Sequence, residues 1–230
     1  MNYLGGKSRI AREIAEIVND ERGGRLFWDP FCGGLSVAAA LAHGGGPGIV
    51  SDAFTPLISL YSAVAGGWAP PESLTEAEYS AAKHAPDSDP IKAFAGFGCS
   101  FGGKWFGGYA RSLGRNYAAE TRRALLKRIE AIRGCALGCV DFLGVEPHAR
   151  EIVIYADPPY AGATSYALAF DSARFWERVR SWERVGVPVF VSEYACPVPH
   201  RVVWEKTHSL SVCGGSRSAA RVERLFRVLV

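Results

Sequence analysis

The spacing of apolar residues changes repeatedly between a helical and a strand-like pattern over the first 65 residues. Between residues 7 and 19, apolar side chains recur every three or four positions, which predicts an amphipathic helix. Short apolar runs at 26–28 and 49–50 predict strands, and the segments 36–42 and 56–64 predict further helices. A strand, a glycine loop, a helix and a second strand that ends on an acid predict the start of a doubly wound parallel sheet.

The pattern lapses after residue 65 and returns near residue 134. Residues 66–133 are helical in pattern, rich in loops and interrupted by glycines. Strand-like sequence then returns at 136–142, 152–156 and 187–192, with a helix predicted over 172–184. Two closing antiparallel strands are predicted at 201–205 and 225–230. We therefore predict an α/β fold with helices on both faces of a Rossmann-like sheet. Its catalytic domain comprises residues 1–65 and 134–230, and an inserted, mainly helical recognition lobe comprises residues 66–133.

Composition restricts the class of protein. The chain has 230 residues, 48% of them hydrophobic, which supplies a substantial core and excludes wholesale disorder. It has neither an eighteen-residue apolar run nor an apolar N-terminal signal region, so we expect a soluble, cytoplasmic protein without membrane contact. The six cysteines are scattered without a CxxC pair, which argues against a zinc site or a disulfide scaffold.

Positive charge is concentrated in the middle of the chain. Residues 101–133 contain eight Lys or Arg and two Glu, a net charge of +6, whereas the whole chain carries only +3. The basic residues lie where the sheet pattern lapses. This placement favours a lobe that recognises a polyanion.

The segment Asp157-Pro158-Pro159-Tyr160 follows a buried strand predicted at 152–156. A carboxylate and a prolyl carbonyl accept hydrogen bonds, neither proline supplies a competing amide hydrogen, and an aromatic ring can stack on a planar base. These residues suit chemistry on an amino group of a base. The alternative is a proline-rich turn with a capping aspartate.

The loop from Asp29 to Ser36 lies between a predicted strand and a predicted helix, as in nucleotide-cofactor sites. Asp52 follows Gly34 by eighteen residues at the end of the next strand, where an acid can bind ribose hydroxyls. The phosphate-loop alternatives fail. Residues 5–8 lack the required first glycine and a preceding strand, and Trp105 occupies the Ser/Thr position after residues 98–104, which disfavours an ATPase or kinase.

Taken together, the ordered motifs resemble those of Dam-like DNA adenine methyltransferases of the alpha group, and the resemblance spans nearly the whole chain. Residues 100–111 are also similar to phage and prophage members of that family. The residues that carry the resemblance are Tyr3-Leu4-Gly5-Gly6-Lys7, Asp29-Pro30-Phe31-Cys32-Gly33-Gly34, Asp52, Asp141-Phe142 and Asp157-Pro158-Pro159-Tyr160.

The resemblance implies an enzyme that binds S-adenosylmethionine and methylates the 6-amino group of adenine in a specific duplex DNA sequence. The chain departs from the family pattern at Leu35, where many members have a third glycine, and at Phe54, where many have Asn. The implied cofactor-binding residues are Tyr3 and Lys7 at the N-terminus, Asp29, Phe31, Cys32, Gly33, Gly34 and Ser36 around the methionine moiety, Asp52 for the ribose, Asp141 and Phe142 for the cofactor's adenine, and Asp157.

The predicted mechanism places the substrate's amino group between Asp157 and the Pro158 carbonyl, beside Pro159, with the flipped-out base stacked on Tyr160. Tyr166 and Phe170 either wall the same pocket or pack under a loop. We predict DNA contacts from Lys104, Tyr109, Arg111, Arg115 and Asn116, whereas core packing is favoured for Trp105 and Phe106 over a role as a wedge. Arg122, Arg123, Lys127 and Arg128, and the smaller cluster of Arg217, Arg221 and Arg224, either contact phosphate or form a solvated face.

Three other functions remain open at this stage. A cytosine 4-amino methyltransferase needs the same two acceptors but more often has Ser at the Asp157 position. A methyltransferase for RNA or for a protein amide is a second alternative, although related enzymes for amides usually have Asn at that position. A catalytically idle DNA-binding protein has no need for Asp157 and Tyr160. The sequence carries no nuclease motif, so restriction would require another chain.

Overall fold

The fold is built on a mixed β-sheet. The computed structural model describes residues 3, 5–144, 146–148, 151–160, 170–208 and 221–229, and the seven strands within them form one sheet. The first five strands are parallel, and β7 runs antiparallel to both of its neighbours. In sheet order the strands are β3 (Ala136–Cys139), β2 (Gly48–Asp52), β1 (Leu26–Asp29), β4 (Ile152–Ala156), β5 (Val189–Glu193), β7 (Arg221–Val228) and β6 (His200–His208).

Helices cover both faces of this sheet, as the sequence predicts. Helices α1 (Ala11–Arg22), α2 (Ser36–Gly45) and α3 (Thr55–Ala65) pack on one face, and α7 (Ser172–Arg184) packs on the other. Strand β4 shows the division, because successive side chains of a strand point to opposite faces. Val153 belongs to the core on the α1 side and Ile154 to the core on the α7 side. All five residues of β4 are buried, as expected for a central parallel strand.

The middle of the chain is mainly helical and packs on the first of these two cores. Phe94, Leu125 and Ile129 lie in the same hydrophobic cluster as the residues of α1, α2 and α3. The division of the chain at residues 66 and 133 stays a prediction. This region contains α4 (Glu76–Ala82), α5 (Pro90–Ala93), a π-helical turn (Phe94–Gly98), a 3-10 turn (Phe101–Gly103) and α6 (Tyr117–Ala131).

Two elements are shorter than predicted, and both differences shape the site. The first helix begins at Ala11 rather than at Lys7, so residues 5–10 form a loop in which the Lys7 carbonyl accepts from the amides of Ile10 and Ala11. Strand β3 ends at Cys139 because the Asp141 carboxylate accepts from the Leu143 amide at 2.8 Å and starts a 3-10 turn. Among the described residues, no helix has the length and apolar character needed to cross a bilayer.

Candidate active site

Three acidic residues mark the edge of the sheet where the candidate site lies. Asp29 ends β1, Asp52 ends β2 and Asp157 follows β4. Because these strands are parallel neighbours, their carboxyl ends meet at one edge, which is where open α/β sheets bind ligands. All three side chains line one cavity of about 280 Å³.

The cavity brings together every residue that the sequence predicts for a cofactor site. Pro159 and Phe170 also line it, whereas Tyr166 lies outside the described residues. The predicted residues that line the cavity are Tyr3, Lys7, Asp29, Phe31, Cys32, Gly33, Gly34, Ser36, Asp52, Asp141, Phe142 and Asp157.

The glycine loop passes close to Tyr3, and only glycine fits there. Gly33 has φ 40°, and a Cβ on it would lie 2.8 Å from Cε1 of Tyr3. A Cβ on Gly34 would lie 3.0 Å from Cβ of Tyr3. The two glycines therefore allow the Tyr3 side chain to cover the loop while the loop faces the cavity.

Two residues that the sequence did not point to fix the carbonyls of this loop. The Tyr61 hydroxyl donates to the Gly33 carbonyl, and Nη1 of Arg128 donates to the Gly34 carbonyl at 2.6 Å. Nη2 of Arg128 also donates to the hydroxyl of Ser8 at 2.8 Å. Burial lowers the pKa of Arg128. Arg128 is thus part of the support of the loop, although its position in a basic run favoured a solvated face or a phosphate contact.

Leu35, one of the two departures from the family pattern, has the backbone conformation of a glycine. Its φ is 63° and its ψ 15°, in the left-handed region, which costs a leucine about 1–2 kcal/mol. The side chain is fully buried in the core on the α1 side. Since burying a leucine side chain contributes roughly 1.5–3 kcal/mol, the buried contact can offset the strained backbone.

Asp52 is held by two backbone amides and still lines the cavity. Its Oδ2 accepts from the Gly33 amide at 3.0 Å, and its Oδ1 accepts from the Phe54 amide at 3.0 Å. Burial raises the pKa of Asp52 to about 6 although these hydrogen bonds oppose the shift. Phe54, the second departure from the family pattern, contributes the amide and turns its ring towards Trp105, with centroids 4.8 Å apart.

Asp157 lies in a network with three other polar side chains. Its Oδ1 forms an ion pair with Nζ of Lys7 at 2.8 Å, and Nζ also lies 2.8 Å from Oε1 of Glu223. Lys7 donates to the Tyr160 hydroxyl at 2.6 Å, and that hydroxyl donates to Glu223 at 2.9 Å. Burial raises the pKa of Asp157 to about 6, and the charge of Lys7 limits the rise.

The charges of this network decide the protonation of Lys7. Burial by itself lowers the pKa of Lys7, but the charges and hydrogen bonds of Asp157 and Glu223 outweigh it, so the pKa is raised. Lys7 is therefore a buried cation, with 7% of its surface exposed. The sequence motifs include Lys7, Asp157 and Tyr160 but not Glu223. The sequence signal that could have indicated Glu223 is its position on β7. It is a polar residue two positions before the core residue Leu225, so both side chains point to the same face of the sheet.

Asp29 is the most deeply buried of the three acids, with 2% of its surface exposed. Its Oδ1 accepts from the Phe31 amide at 3.2 Å. Burial raises the pKa of Asp29 well above its usual value, and the charges of Asp157 and Asp52 add to this effect. The cavity therefore concentrates acidic groups, and its walls favour a cationic ligand.

Aromatic rings form the opposite end of the cavity. The ring centroids of Phe31 and Phe142 are 5.2 Å apart, and Phe170 packs edge-on against Phe31 at 5.9 Å. Asp141 is exposed at the rim of this aromatic end, where Arg174 also lines the cavity. An aromatic wall with an exposed acid beside it suits a heteroaromatic ring that carries an amino group.

The residues predicted to contact DNA do not line the cavity, and most of them have partners within the protein. Asn116 caps α6 through the Ala119 amide, and the Tyr109 hydroxyl donates to the Leu74 carbonyl. Arg111 pairs with Glu76, Arg115 forms two hydrogen bonds with Glu120, and Lys104 is exposed. Contact of these five residues with DNA stays a prediction.

Trp105 and Phe106 are half-buried among aromatic rings, consistent with the core packing favoured for them. The Trp105 and Phe97 centroids are 4.7 Å apart, and both residues also line the cavity, which the sequence did not indicate.

Of the C-terminal basic cluster, Arg224 donates to the Tyr194 carbonyl at 2.9 Å. Arg217 and the side chain of Arg221 lie outside the described residues. Within those residues, no group of three or more His, Cys, Asp or Glu side chains could hold a metal ion.

Comparison with models of known protein families finds one match, over the first part of the chain. Residues 3–95 match the model of the D12 class of N6 adenine-specific DNA methyltransferases. This match supports an adenine methyltransferase. The matched stretch contains the Lys7 loop, the glycine loop and Asp52, whereas Asp157 lies beyond it.

The other comparisons add no functional information. No curated protein matches the chain. Among solved structures, the crystal structure of a mutant of MtNAS is similar, with 11% sequence identity and a TM-score of 0.35. The match covers 95% of this chain and 61% of that one. At this level of similarity, the match carries no argument about activity.

Proposed function

We propose that the protein is a site-specific DNA adenine methyltransferase that uses S-adenosylmethionine to methylate the 6-amino group of an adenine flipped out of duplex DNA. The observation that carries the proposal is the position of Asp157 and Pro159 on the same cavity as the glycine loop and Asp52. An acceptor for an amino group and a cradle for a nucleoside cofactor thus share one space. The family match over residues 3–95 supports the same activity.

The residues of the cavity fit S-adenosylmethionine, which carries a positive sulfonium and a positive ammonium. The acidic residues Asp29 and Asp157 suit these charges, and Asp52 suits the ribose hydroxyls. The apolar wall to which Phe31 and Phe142 contribute suits the adenine, with the exposed Asp141 beside it. When bound, the cofactor would supply an electrophilic methyl group.

Asp157 and Pro158 would then prepare the substrate's nitrogen for reaction. The amino lone pair of adenine is delocalised into the ring, so this nitrogen is a poor nucleophile. Hydrogen bonds from its two protons to the Asp157 carboxylate and the Pro158 carbonyl favour a pyramidal nitrogen with a localised lone pair. Catalysis comes mainly from this positioning.

Asp157 also suits removal of the proton that the nitrogen must lose. Methylation leaves the nitrogen with a positive charge, and an ionised carboxylate within hydrogen-bond reach can accept its surplus proton. Because the pKa of Asp157 is about 6, this carboxylate is ionised at neutral pH and can then release the proton to solvent.

The Tyr160 ring would receive the flipped-out base. Its hydroxyl is held by Lys7 and Glu223, and the ring makes a T-shaped contact with Tyr194 with centroids 4.6 Å apart. A ring held at its hydroxyl and packed against a neighbouring ring is preorganised to receive a base. The exposed basic residues of the middle region, Lys104 among them, would contact the DNA phosphates.

The direct test is methyl transfer from labelled S-adenosylmethionine to unmethylated genomic DNA, followed by nucleoside analysis. The proposal predicts label in 6-methyladenine and in no other nucleoside. Label in 4-methylcytosine would keep the chemistry and overturn the choice of base. If the protein binds the cofactor but no label enters DNA, the substrate is not DNA, and if it binds no cofactor the methyltransferase proposal is wrong.

A further inference from the structure

Glu223 is the one member of the Asp157 network that no motif includes. It lies on β7, at the antiparallel end of the sheet, whereas Asp157 and Tyr160 follow β4 and Lys7 precedes α1. Lys7 and Glu223 are almost completely buried, with 5% and 13% of their side-chain surfaces exposed. Two carboxylates and one ammonium in so small a buried space leave a net negative charge beside the cavity.

Glu223 contacts both Lys7, which is paired with Asp157, and the hydroxyl of Tyr160. Its Oε1 lies 2.8 Å from Nζ of Lys7, the atom that also holds Oδ1 of Asp157 at 2.8 Å. The same Oε1 accepts from the Tyr160 hydroxyl at 2.9 Å. A single carboxylate oxygen thus fixes the lysine that orients the acceptor and the hydroxyl that orients the stacking ring.

We propose that Glu223 is a positioning residue for methyl transfer: through Lys7 it orients the Asp157 carboxylate, and through the Tyr160 hydroxyl it orients the ring that receives the base. The inference rests on the proposed function and adds to it a residue outside all of its motifs. Lys7 holds Oδ1 of Asp157 at 2.8 Å, and the substrate's amino group would donate to the carboxylate that is oriented in this way. Removing the charge of Glu223 would loosen the position of Lys7, and with it that of Asp157.

Glu223 also acts on the charge of Asp157. The charged and titratable groups that face Asp157 are Lys7 from the loop before α1, Glu223 from β7, Tyr160 after β4, Tyr155 on β4 and Asp29 on β1. Burial is the main cause of the raised pKa of Asp157, and repulsion by Glu223 adds to it. Loss of the Glu223 charge should therefore lower the pKa of Asp157.

The first experiment uses Glu223→Gln in the full chain, with Glu205→Gln as the matched control. Glu205 is an exposed acid on the neighbouring strand, paired with Arg224. Since a hydrogen bond to a charged group is being weakened, we expect the single-turnover methylation rate of Glu223→Gln to fall roughly ten- to a hundredfold. Its affinity for S-adenosylmethionine should fall by less than its rate, because Glu223 itself does not line the cavity. Glu205→Gln should match the parent in methylation rate and in affinity for S-adenosylmethionine. A methylation rate of Glu223→Gln equal to that of the parent overturns the inference.

A second readout does not need activity. Carbon NMR of carboxyl-labelled aspartate, with Asp157→Asn to assign the signal, follows the titration of Asp157 in the free protein. The parent should titrate near pH 6, and Glu223→Gln should titrate at lower pH. An unchanged titration contradicts the coupling of Glu223 to Asp157 whatever the substrate, whereas a parent protein that methylates nothing contradicts the proposed function instead.

Two further variants separate positioning from folding. Glu223→Asp keeps the charge but shortens the reach, so it should keep the Asp157 titration near that of the parent and still lose rate. Tyr160→Phe removes only the hydroxyl, and if Glu223 acts through it, the double variant Glu223→Gln/Tyr160→Phe should be slower by less than the product of the two single effects. Fully independent effects would show that Glu223 does not act through Tyr160.

Discussion

The acidic cavity and the basic middle region are opposite in charge, and they differ in what the charged groups contact. In the cavity, Asp29, Asp52 and Asp157 are buried against backbone amides and one lysine, so burial raises the pKa of each of them. In the middle region, most charged groups are exposed and several pair with nearby acids, as Arg115 does with Glu120. A substitution in the cavity should therefore change chemistry strongly, whereas one in the middle region should change binding weakly.

The net charge of the middle region also overstates the charge that is available to a partner. Arg111 pairs with Glu76 and Arg122 with Glu72, both of which precede residue 101, and Arg133 pairs with Glu130. Arg128 is directed inward to the Gly34 carbonyl. A charge count along the sequence therefore locates a candidate surface but does not identify the groups that bind.

The largest effect is expected from Asp157→Ala. Loss of the acceptor for the substrate's amino group should lower the methylation rate about 10²–10⁴-fold, the usual range for a residue that handles a proton in the reaction. DNA affinity should survive, because the basic residues of the middle region are unchanged. Single-turnover kinetics and a DNA-binding assay on the same preparation would check this, with Asp87→Ala, an exposed acid paired with Lys92, as control. An active Asp157→Ala protein would contradict the mechanism.

The next largest effect is expected from Asp52→Asn. An amide cannot accept from both the Gly33 and Phe54 amides and also receive a ribose hydroxyl, so S-adenosylmethionine affinity should fall about ten- to a hundredfold. Equilibrium dialysis measures this directly. Asp20→Asn, which changes an exposed residue of α1, should leave the affinity unchanged. Equal affinities for all three proteins would remove Asp52 from the cofactor site.

The pH dependence of the reaction should report the acidic cavity. The pKa of Asp157 is raised to about 6, so its carboxylate is ionised above pH 6 and becomes protonated below it. At saturating cofactor and DNA, the rate should be nearly constant above pH 7 and should fall up to about tenfold per pH unit below pH 6. The acid limb is measured by single-turnover assays between pH 5 and 8. A fall in rate that begins only near pH 4 would show that burial does not raise the pKa of Asp157.

The smallest effects are expected from substitutions in the basic region. There, basic residues that pair with an acid should contribute less to DNA binding than those for which no pair is found among the described residues. No ion-pair partner is found for Lys104 among the described residues, whereas the charge of Arg115 is balanced by Glu120. Lys104→Ala should weaken duplex DNA binding roughly three- to tenfold, and Arg115→Ala should weaken it by less than about twofold, because a phosphate contact of Arg115 requires its ion pair to break. Fluorescence anisotropy at two salt concentrations compares them. The reverse order would show that the Arg115 pair opens on DNA.

Features of the molecule that depend on a local pattern could be predicted from the sequence. The parallel sheet, the glycine loop and Asp52 could be predicted because each depends on a local pattern: a short apolar run, a tight turn, or an acid at the end of a strand. Tyr160 was predicted from the chemistry of the segment 157–160 and Lys7 from the family resemblance, although 153 positions separate them. All of these residues line or adjoin one cavity.

The residues that were missed are those whose partners are distant in sequence and belong to no motif. Arg128 reaches the Gly34 carbonyl across 94 positions, and Glu223 reaches Tyr160 across 63. Nothing in the local sequence of α6 distinguishes Arg128 from its neighbouring Arg and Lys residues. Only the packing of α6 against the glycine loop directs this one side chain inward.

The most direct test of the central claim is made with DNA from a methylation-free bacterial host that expresses either the parent chain or Asp157→Ala. Mass spectrometry of the digested nucleosides from both cultures, at matched protein levels, gives one comparison. The account predicts 6-methyladenine in the DNA from the parent culture and none above background from Asp157→Ala. Equal amounts of 6-methyladenine in both, or a parent protein that binds S-adenosylmethionine and leaves the DNA unmodified, would contradict it.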